Sequence, residues 1–343
     1  MKADQTEIVI LQTSDVHGHV RDATVWGLKT ASHGLARISS FVKREREKDP
    51  DLLLLDSGDM LQGSPLAFHY AHFNDYMPNP LISVMNHLSY DGAVIGEHDF
   101  DYGLPCVSRA VSRSFFPWLS ANVVHKVTKE PYFGFPYTIK NIRGVKIAIL
   151  GITAYRESGH EPCIVNDVLY EDAFDAVKRW IPFIHETEKP DLVILNYHGG
   201  MNDVACDHKS GAVDQGLEIA QSIEGIDVML TGRQHRLVCN KIHDKWMIQP
   251  GAFGQHVGKI SILMTKMGNS WKVEQTSGQL VDMKQYSSDP EIEKLVYFQE
   301  LEAGRWLNER LVKETAGPKG SDSNIKVADW IKKATPEDFI DFF

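Results

Sequence analysis

Five short groups of polar residues, each placed just after an apolar run, carry the side-chain types that bind metal ions. They are Asp15 with His17, Gly58-Asp59, Gly96-Glu97-His98-Asp99-Phe100-Asp101, Tyr197-His198-Gly199-Gly200 and Gly232-Arg233-Gln234-His235. Loops at the carboxyl edge of a parallel sheet aim their side chains at a common point, so we expect the five groups to converge. Carboxylates and imidazoles suit Mn, Fe, Zn or Co, and no thiolate is placed to take part. The pattern predicts one or two divalent ions, with Asp59 as the bridging carboxylate of a two-metal site.

The apolar runs before these groups are typical of strands buried on both faces of a sheet. The runs are Ile8 to Leu11, Leu52 to Leu55, Ala93 to Ile95, Val145 to Leu150, Leu192 to Leu195 and Val228 to Leu230. Apolar residues at helical spacing lie between them, for example Leu35, Ile38, Phe41 and Val42. This alternation predicts a layered α/β domain. After about residue 245 the runs shorten, which predicts a second, more antiparallel group of strands.

Composition narrows the class of protein. The 343 residues are 43% hydrophobic and 24% charged, with a net charge of −10 and no Lys/Arg stripe, which disfavours binding to a nucleic acid duplex. The four cysteines are far apart and form no CxxC, so neither a zinc knuckle nor a disulfide framework is expected. No leader-like segment and no long apolar stretch is found, so we expect a cytoplasmic protein without a membrane partner.

The chain divides into three predicted parts. Residues 1–285 form the main domain, residues 286–313 form a C-terminal helical segment, and residues 314–343 hold a polar linker and the start of a further domain. Thr335-Pro336 has the chemistry of a helix start, and the apolar residues after it have no evident partner. We therefore expect a C-terminal domain to be missing; the alternative is a short helix that docks back onto the main domain.

The five groups resemble, in order and spacing, the signature blocks of calcineurin-like metallophosphoesterases. Phe100-Asp101-Tyr102-Gly103, Ser120-Ala121-Asn122, Ile226-Asp227-Val228 and Gln249-Pro250-Gly251 are similar to the N-terminal catalytic domain of the 5′-nucleotidase / 2′,3′-cyclic-nucleotide phosphodiesterase family. The resemblance covers about residues 7–285. It implies a four-layer α/β/β/α metallophosphoesterase sandwich, a dinuclear metal site and hydrolysis of a nucleotide or other small phosphoester. In that family a C-terminal domain binds the nucleoside base, so a separate polypeptide that supplies this domain is a candidate partner.

The resemblance also implies roles for single residues. The implied metal ligands are Asp15, His17 and His235 for the first ion, Asp59 as the bridge and His198 for the second ion. Glu97 is a further candidate ligand on its own chemistry, because a carboxylate suits a hard cation. His98 matches the histidine that contacts the transferring phosphoryl group, and Asp101 matches the acid that orients it. Asn122 and His256 are candidate substrate-binding residues, although a structural role for Asn122 and a solvated loop position for His256 are the alternatives. An imidazole held by a carboxylate can stabilise developing charge or protonate a leaving oxygen, which agrees with these roles.

Two residues depart from the family pattern, and both belong to the second metal. Glu97 stands where the family has Asn, and Arg233 stands where it has the first His of Gly-His-x-His. Arg233 cannot ligate a cation because its guanidinium offers only donors. We expect Glu97 and Arg233 to form an ion pair at the second-metal position.

The expected function is a metal-dependent phosphoester hydrolase of the 5′-nucleotidase type that is impaired at its second metal site. Arg233 is then a phosphate clamp that replaces the second ion. The first alternative is a degenerate, non-catalytic relative that binds a phosphoryl ligand or a protein. The second is a truncated product without a selected function.

Overall fold

The computed structural model describes residues 4–21, 32–154, 167–201 and 213–315, with side chains up to residue 309. The described strands, in chain order, are β1 (Gln5–Thr13), β2 (Leu53–Asp56), β3 (Gly92–Val94), β4 (Trp118–Leu119), β5 (Val123–His125), β6 (Tyr137–Ile142), β7 (Val145–Thr153), β8 (Val168–Tyr170), β9 (Leu192–His198), β10 (Val228–Thr231), β11 (Leu237–Ile242), β12 (Lys245–Pro250), β13 (His256–Met267) and β14 (Ser270–Asp282). The described α-helices are α1 (Leu35–Lys48), α2 (Pro65–Phe73), α3 (Pro80–His87), α4 (Leu104–Arg113), α5 (Ala173–Thr187), α6 (Gly216–Ser222) and α7 (Pro290–Thr315).

Within these described ranges, two six-stranded sheets pack face to face. The first sheet has the order β14-β13-β1-β2-β3-β4, and the second has the order β11-β12-β10-β9-β7-β6. Apolar side chains from both sheets, such as Ile10, Leu55, Ile149 and Ile194, fill the space between them and are fully buried. A small third sheet pairs β5 with β8.

Helices cover the outer face of each sheet. Helices α1 to α4 and α7 pack on the first sheet around a core that includes Phe41, Val84 and Val107. Helices α5 and α6 pack on the second sheet around a core that includes Val177 and Ile219. The layers are therefore helix, sheet, sheet and helix, and the predicted α/β/β/α sandwich is confirmed.

Parallel pairing brings the ends of the central strands to one edge of the sandwich. Strands β1, β2, β3 and β4 run parallel, as do β7, β9, β10 and β12. The polar groups predicted to converge follow β1, β2, β3, β9 and β10 directly. This shared edge is the reason why loops distant in sequence meet.

The predicted more antiparallel character of the strands after residue 245 is confirmed, but these strands divide between the two sheets. Strands β13 and β14 form an antiparallel hairpin that joins the first sheet through β1, with Ile10 opposite Ile260. Strand β12 instead enters the second sheet, parallel to β10 and antiparallel to β11. The alternating burial of β13 shows why, since one face of this strand packs in the space between the sheets.

The C-terminal helix α7 lies against α1, α2 and α3, so the predicted helical segment packs on the main domain. Ile292, Val296 and Leu307 are buried in the same core as α1. None of the helices in the described ranges has the length and apolar character that crossing a bilayer requires. The expected linker and domain start lie outside the described residues from position 316 onward.

Local capping fixes the loops at the edge. Ser64 caps α2 by accepting a hydrogen bond from the backbone N–H of Ala67 at 3.1 Å, and Pro65 occupies the first turn. The same Ser64 hydroxyl donates to the carbonyl of Gly18 at 2.9 Å. One side chain therefore starts the helix and holds the loop that carries Asp15 and His17.

Gly96 allows two of these loops to touch. A Cβ at Gly96 would lie 2.1 Å from Oδ1 of Asp59 and 2.5 Å from its backbone nitrogen. A Cβ at Gly92, in the strand just before it, would meet its nearest atom at 3.5 Å, which is ordinary van der Waals contact.

We predict that Gly96→Ala lowers the free energy of unfolding by about 1–3 kcal/mol, because the Asp59 loop has to shift to admit the methyl group. The matched control Gly92→Ala is expected to change it by less than about 1 kcal/mol. Urea unfolding followed by circular dichroism measures both. Equal stabilities of the two variants would contradict the close packing of these loops.

Candidate metal centre

Three candidate metal ligands lie together on the loops that follow β1 and β10: Asp15 and His17 on the first loop and His235 on the second. Nε2 of His17 lies 3.1 Å from Nε2 of His235, and Nε2 of His235 lies 3.7 Å from Oδ1 of Asp15. Nδ1 of His17 lies 3.2 Å from the carbonyl oxygen of Gln62, to which it donates its proton, so the lone pair of Nε2 faces the other donors. Two imidazoles and a carboxylate that converge in this way fit a divalent ion.

Several residues at this edge adopt a left-handed backbone conformation. Five site residues adopt positive φ, namely Asp15 (52°), His17 (50°), Asp59 (58°), Arg233 (71°) and His235 (54°). The left-handed region is unfavourable for residues with a Cβ and persists only where surrounding contacts impose it. Here the backbone N–H of Asp15 donates to Gly58 and that of His17 donates to Asp59, both at 2.9 Å. These hydrogen bonds hold the first two loops against each other.

A second set of candidate metal ligands lies at the ends of β2, β3 and β9 and consists of Asp59, Glu97 and His198. Nε2 of His198 is 2.7 Å from Oε2 of Glu97 and 3.2 Å from Oδ2 of Asp59. Its Nδ1 donates to the carbonyl of Ser57 at 2.7 Å. Nε2 of His198 and Oε2 of Glu97 are buried, yet neither has a partner in hydrogen-bond geometry among the described residues. A lone pair beside two carboxylates is repulsive, so a proton or a metal ion has to lie between them.

Burial and neighbouring charges together set the protonation of these groups. Burial raises the pKa of Asp15 to about 7 and lowers the pKa of His17 to about 3, which leaves the His17 imidazole neutral and able to ligate. The pKa of His198 lies well above its usual value, because Asp59 and Glu97 outweigh the effect of burial. The same interaction holds the pKa of Asp59 below its usual range despite burial. Both shifts mark a point that attracts positive charge.

Asp99 positions the Asp59 loop, a role that the sequence analysis did not assign. Oδ1 of Asp99 accepts hydrogen bonds from the backbone N–H groups of Met60 and Leu61 at 2.9 and 2.7 Å. Oδ2 accepts from Asp59 and Gly96 at 3.2 and 2.8 Å. The carboxylate thus binds four N–H groups and is not available as a ligand. The sequence indicates only that Asp99 belongs to the Gly-Glu-His-Asp block. That position does not show whether its carboxylate binds a metal ion or holds a loop in place.

His98 and Asp101 form the pair predicted from the sequence. Nδ1 of His98 lies 2.9 Å from Oδ2 of Asp101, and its ring centroid lies 5.8 Å from that of His17. Burial alone lowers the pKa of His98, but the hydrogen bond to Asp101 and the charge of Asp59 outweigh it and raise the pKa to about 9. The imidazole therefore stays protonated at neutral pH and faces the edge of the metal centre.

The expected ion pair between Glu97 and Arg233 is confirmed. Nε of Arg233 lies 2.7 Å from Oε1 of Glu97. Nη1 of Arg233 also lies 3.2 Å from both carboxylate oxygens of Asp214, a partner that the sequence analysis missed. Asp214 lies well beyond the end of β9 in the sequence and outside the five polar groups, so its position carries no signal.

The two candidate substrate residues lie apart from this cluster. Asn122 is fully buried, and its amide donates to the carbonyls of Thr153 and Glu171 and accepts from the N–H of Thr153. This arrangement favours the structural alternative, and substrate binding by Asn122 stays a prediction. For His256 at the start of β13, no contact to the candidate ligands is found in the described part of the chain. Its substrate role also stays a prediction.

Comparison with known proteins agrees with this geometry. The 2′,3′-cyclic-nucleotide 2′-phosphodiesterase/3′-nucleotidase of Salmonella typhimurium (strain LT2) is 23% identical over 81% of this chain and 46% of its own length. The trifunctional nucleotide phosphoesterase protein YfkN of Bacillus subtilis (strain 168) is 28% identical over 81% of this chain and 21% of its own length. The chain therefore spans less than half the length of these curated relatives.

The fold has a close match among solved structures. The crystal structure of calcineurin-like phosphoesterase YfkN from Bacillus subtilis superposes with a TM-score of 0.81 at 25% identity, over 89% of this chain and all of that one. Residues 8–236 match the family model for the calcineurin-like phosphoesterases, and this stretch holds all the candidate ligands. The chain belongs to the calcineurin-like phosphoesterase family.

Proposed function

We propose that this chain is a metal-dependent phosphoester hydrolase of the 5′-nucleotidase type whose second metal site is impaired. The observation that carries the proposal is the set of buried Asp15 and His17 with the partly buried His235, beside which the His98–Asp101 pair lies. An imidazole held by a carboxylate beside a metal set can supply a proton to the leaving oxygen of a phosphoester, which is what hydrolysis requires.

Each residue has a defined task in this proposal. Asp15, His17 and His235 hold the divalent ion, and Asp59 lies between this set and His198. Bound there, Mn²⁺ or a similar ion supplies positive charge to a phosphoryl oxygen and makes the attacking water more acidic. His98 holds a proton on Nε2 for the leaving oxygen.

Asp101 keeps the ring of His98 in place. Its carboxylate accepts a hydrogen bond from Nδ1–H of His98 and stabilises the protonated ring. Asp101 is partly exposed, with 42% of its side chain accessible, so it acts through His98 and not as a ligand.

The substrate class comes from the named relatives. Both relatives are nucleotide phosphoesterases, and one acts on 2′,3′-cyclic nucleotides, so we expect a nucleotide or another small phosphoester as the substrate. This chain spans only part of each relative, so the proposal covers the phosphoester chemistry and does not assign residues that bind the nucleoside. A polypeptide that supplies this portion, and a cytoplasmic location, stay predictions.

The impairment follows from Arg233. A carboxylate that is already paired with a guanidinium binds a metal ion more weakly, since the two cations repel each other. Glu97 is in this situation, so the His198 side is expected to hold its ion less tightly than the His17 side. Turnover is then slower than at an intact dinuclear centre.

We predict that His98→Ala lowers kcat with Mn²⁺ by about 10²–10⁴-fold and changes KM little, because a proton donor is lost in the transition state. Hydrolysis of bis(p-nitrophenyl) phosphate and of nucleoside 5′-monophosphates measures this. His185→Ala, on the outer face of α5, is the matched control and is expected to retain its rate. Equal rates for His98→Ala and the control would exclude His98 from the reaction.

We also predict that Mn²⁺ stabilises the fold, because the ion balances buried carboxylates that repel each other in its absence. After chelation, the free energy of unfolding is expected to rise by about 2.7 kcal/mol when free Mn²⁺ reaches roughly 100 times its Kd. Thermal unfolding with and without Mn²⁺ measures this. In His235→Ala the gain should disappear, whereas His185→Ala should keep it. A full gain in His235→Ala would contradict the assigned ligand set.

A further inference from the structure

The guanidinium of Arg233 lies where a cation is needed and is clamped between two carboxylates. Its Nε is 2.7 Å from Oε1 of Glu97, and its Nη1 is 3.2 Å from each oxygen of Asp214. Only 24% of the side chain is accessible. The hydrogen bonds that the guanidinium makes to described residues come from Nη1, and Nε contacts Glu97 as an ion pair outside hydrogen-bond geometry. The group is thus anchored on two sides and keeps donors for a third partner.

Neighbouring groups build the position of Arg233 into the fold. Its backbone N–H donates to both carboxylate oxygens of Asp15 at 3.0 Å, and its φ of 71° is held by this contact. Asp214 accepts further hydrogen bonds from the N–H of Gly200 at 2.8 Å and from Nε2 of Gln234 at 2.9 Å. These hydrogen bonds fix the carboxylate of Asp214, and Asp214 in turn holds the guanidinium of Arg233 in one position.

Glu97 connects this arginine to the second donor set. One of its oxygens contacts Arg233, while the other lies 2.7 Å from Nε2 of His198, which also faces Asp59. A divalent ion between Glu97 and His198 would share a carboxylate with the guanidinium at close range. At the Asp15, His17 and His235 set, the contact that Arg233 makes is its backbone N–H on Asp15, and its guanidinium is paired with Glu97 and Asp214 instead.

We propose that the Arg233 guanidinium is the resident cation of the His198 side of the centre. The chain therefore takes a single tightly bound divalent ion, on the Asp15, His17 and His235 side. Arg233 supplies the second positive charge and binds an oxygen of the phosphoryl group through its guanidinium N–H groups. The planar guanidinium suits phosphate oxygens, as it does carboxylates. The phosphoryl contact rests on the proposed function, whereas the single ion does not depend on turnover.

Metal stoichiometry tests the single ion. The wild type, Arg233→His, Arg233→Lys and His235→Ala are loaded with Mn²⁺, freed of excess ion by gel filtration and analysed by elemental mass spectrometry. We expect a single ion on the wild type and on Arg233→Lys, which keeps the charge. Arg233→His removes the charge and adds an imidazole, so it is expected to gain a second ion. His235→Ala is expected to lose the tight ion.

The possible outcomes separate this inference from the proposed function. Two ions on the wild type, with no further gain in Arg233→His, would overturn the inference and leave a dinuclear hydrolase in place. No ion on any variant would overturn both. If Arg233→His does not fold, Arg233→Gln serves instead: loss of the charge is then expected to strengthen binding of a second ion in an Mn²⁺ titration, and unchanged binding would overturn the inference.

Binding of inorganic phosphate tests the clamp without turnover. In isothermal titration of the Mn²⁺-loaded protein, Arg233→Gln is expected to bind phosphate about 10- to 100-fold more weakly than the wild type, the range for a lost charged hydrogen bond. Arg179→Gln breaks a comparable arginine–carboxylate pair on the surface, with Glu171, and is expected to bind as the wild type does. Equal phosphate affinity of Arg233→Gln and the wild type would overturn the clamp.

Discussion

The burial of several carboxylates at one edge of the sandwich is the constraint on which the rest of this structure depends. Asp15, Asp56, Asp59 and Asp99 are all fully or almost fully buried. Ionised groups of like charge are costly in such a place unless each is paired. Asp99 is satisfied by backbone N–H groups, and Asp56 by Thr13 and the N–H of Gly58. Carboxylate oxygens of Asp15 and Asp59 lie close together beside His198. Positive charge in this space therefore stabilises the folded protein, because it offsets the repulsion between the two carboxylates.

The sandwich provides the rigidity that this charge arrangement needs. Parallel strands end at the same edge, and several residues just beyond them adopt left-handed backbone conformations that hydrogen bonds between the loops hold in place. Gly96 and Ser64 show how this packing is achieved: one lacks a side chain where Asp59 approaches, and the other links the start of α2 to the loop of His17. Local strain at the centre is thus offset by the packed layers beneath it.

The sequence predicts the layers and the convergence of Asp15, His17 and His198, because apolar runs identify strands and a parallel sheet places their ends together. It also predicts the Glu97–Arg233 pair, since opposite charges on converging loops attract. It does not predict that β13 joins β1, because antiparallel partners depend on the tertiary fold and not on local pattern. Nor does the sequence assign the roles of Asp99 and Asp214. An aspartate that binds backbone N–H groups or a guanidinium cannot be distinguished, by residue type alone, from an aspartate that binds a metal ion.

Two kinds of cation therefore share this centre, one carried by the chain and one taken from solution. The most direct measurement is anomalous diffraction from crystals grown with Mn²⁺. The account predicts one strong peak, within coordination distance of His17 and His235, and a guanidinium of Arg233 that remains between Glu97 and Asp214. Two peaks of equal height, with the side chain of Arg233 turned away from Glu97, would contradict it.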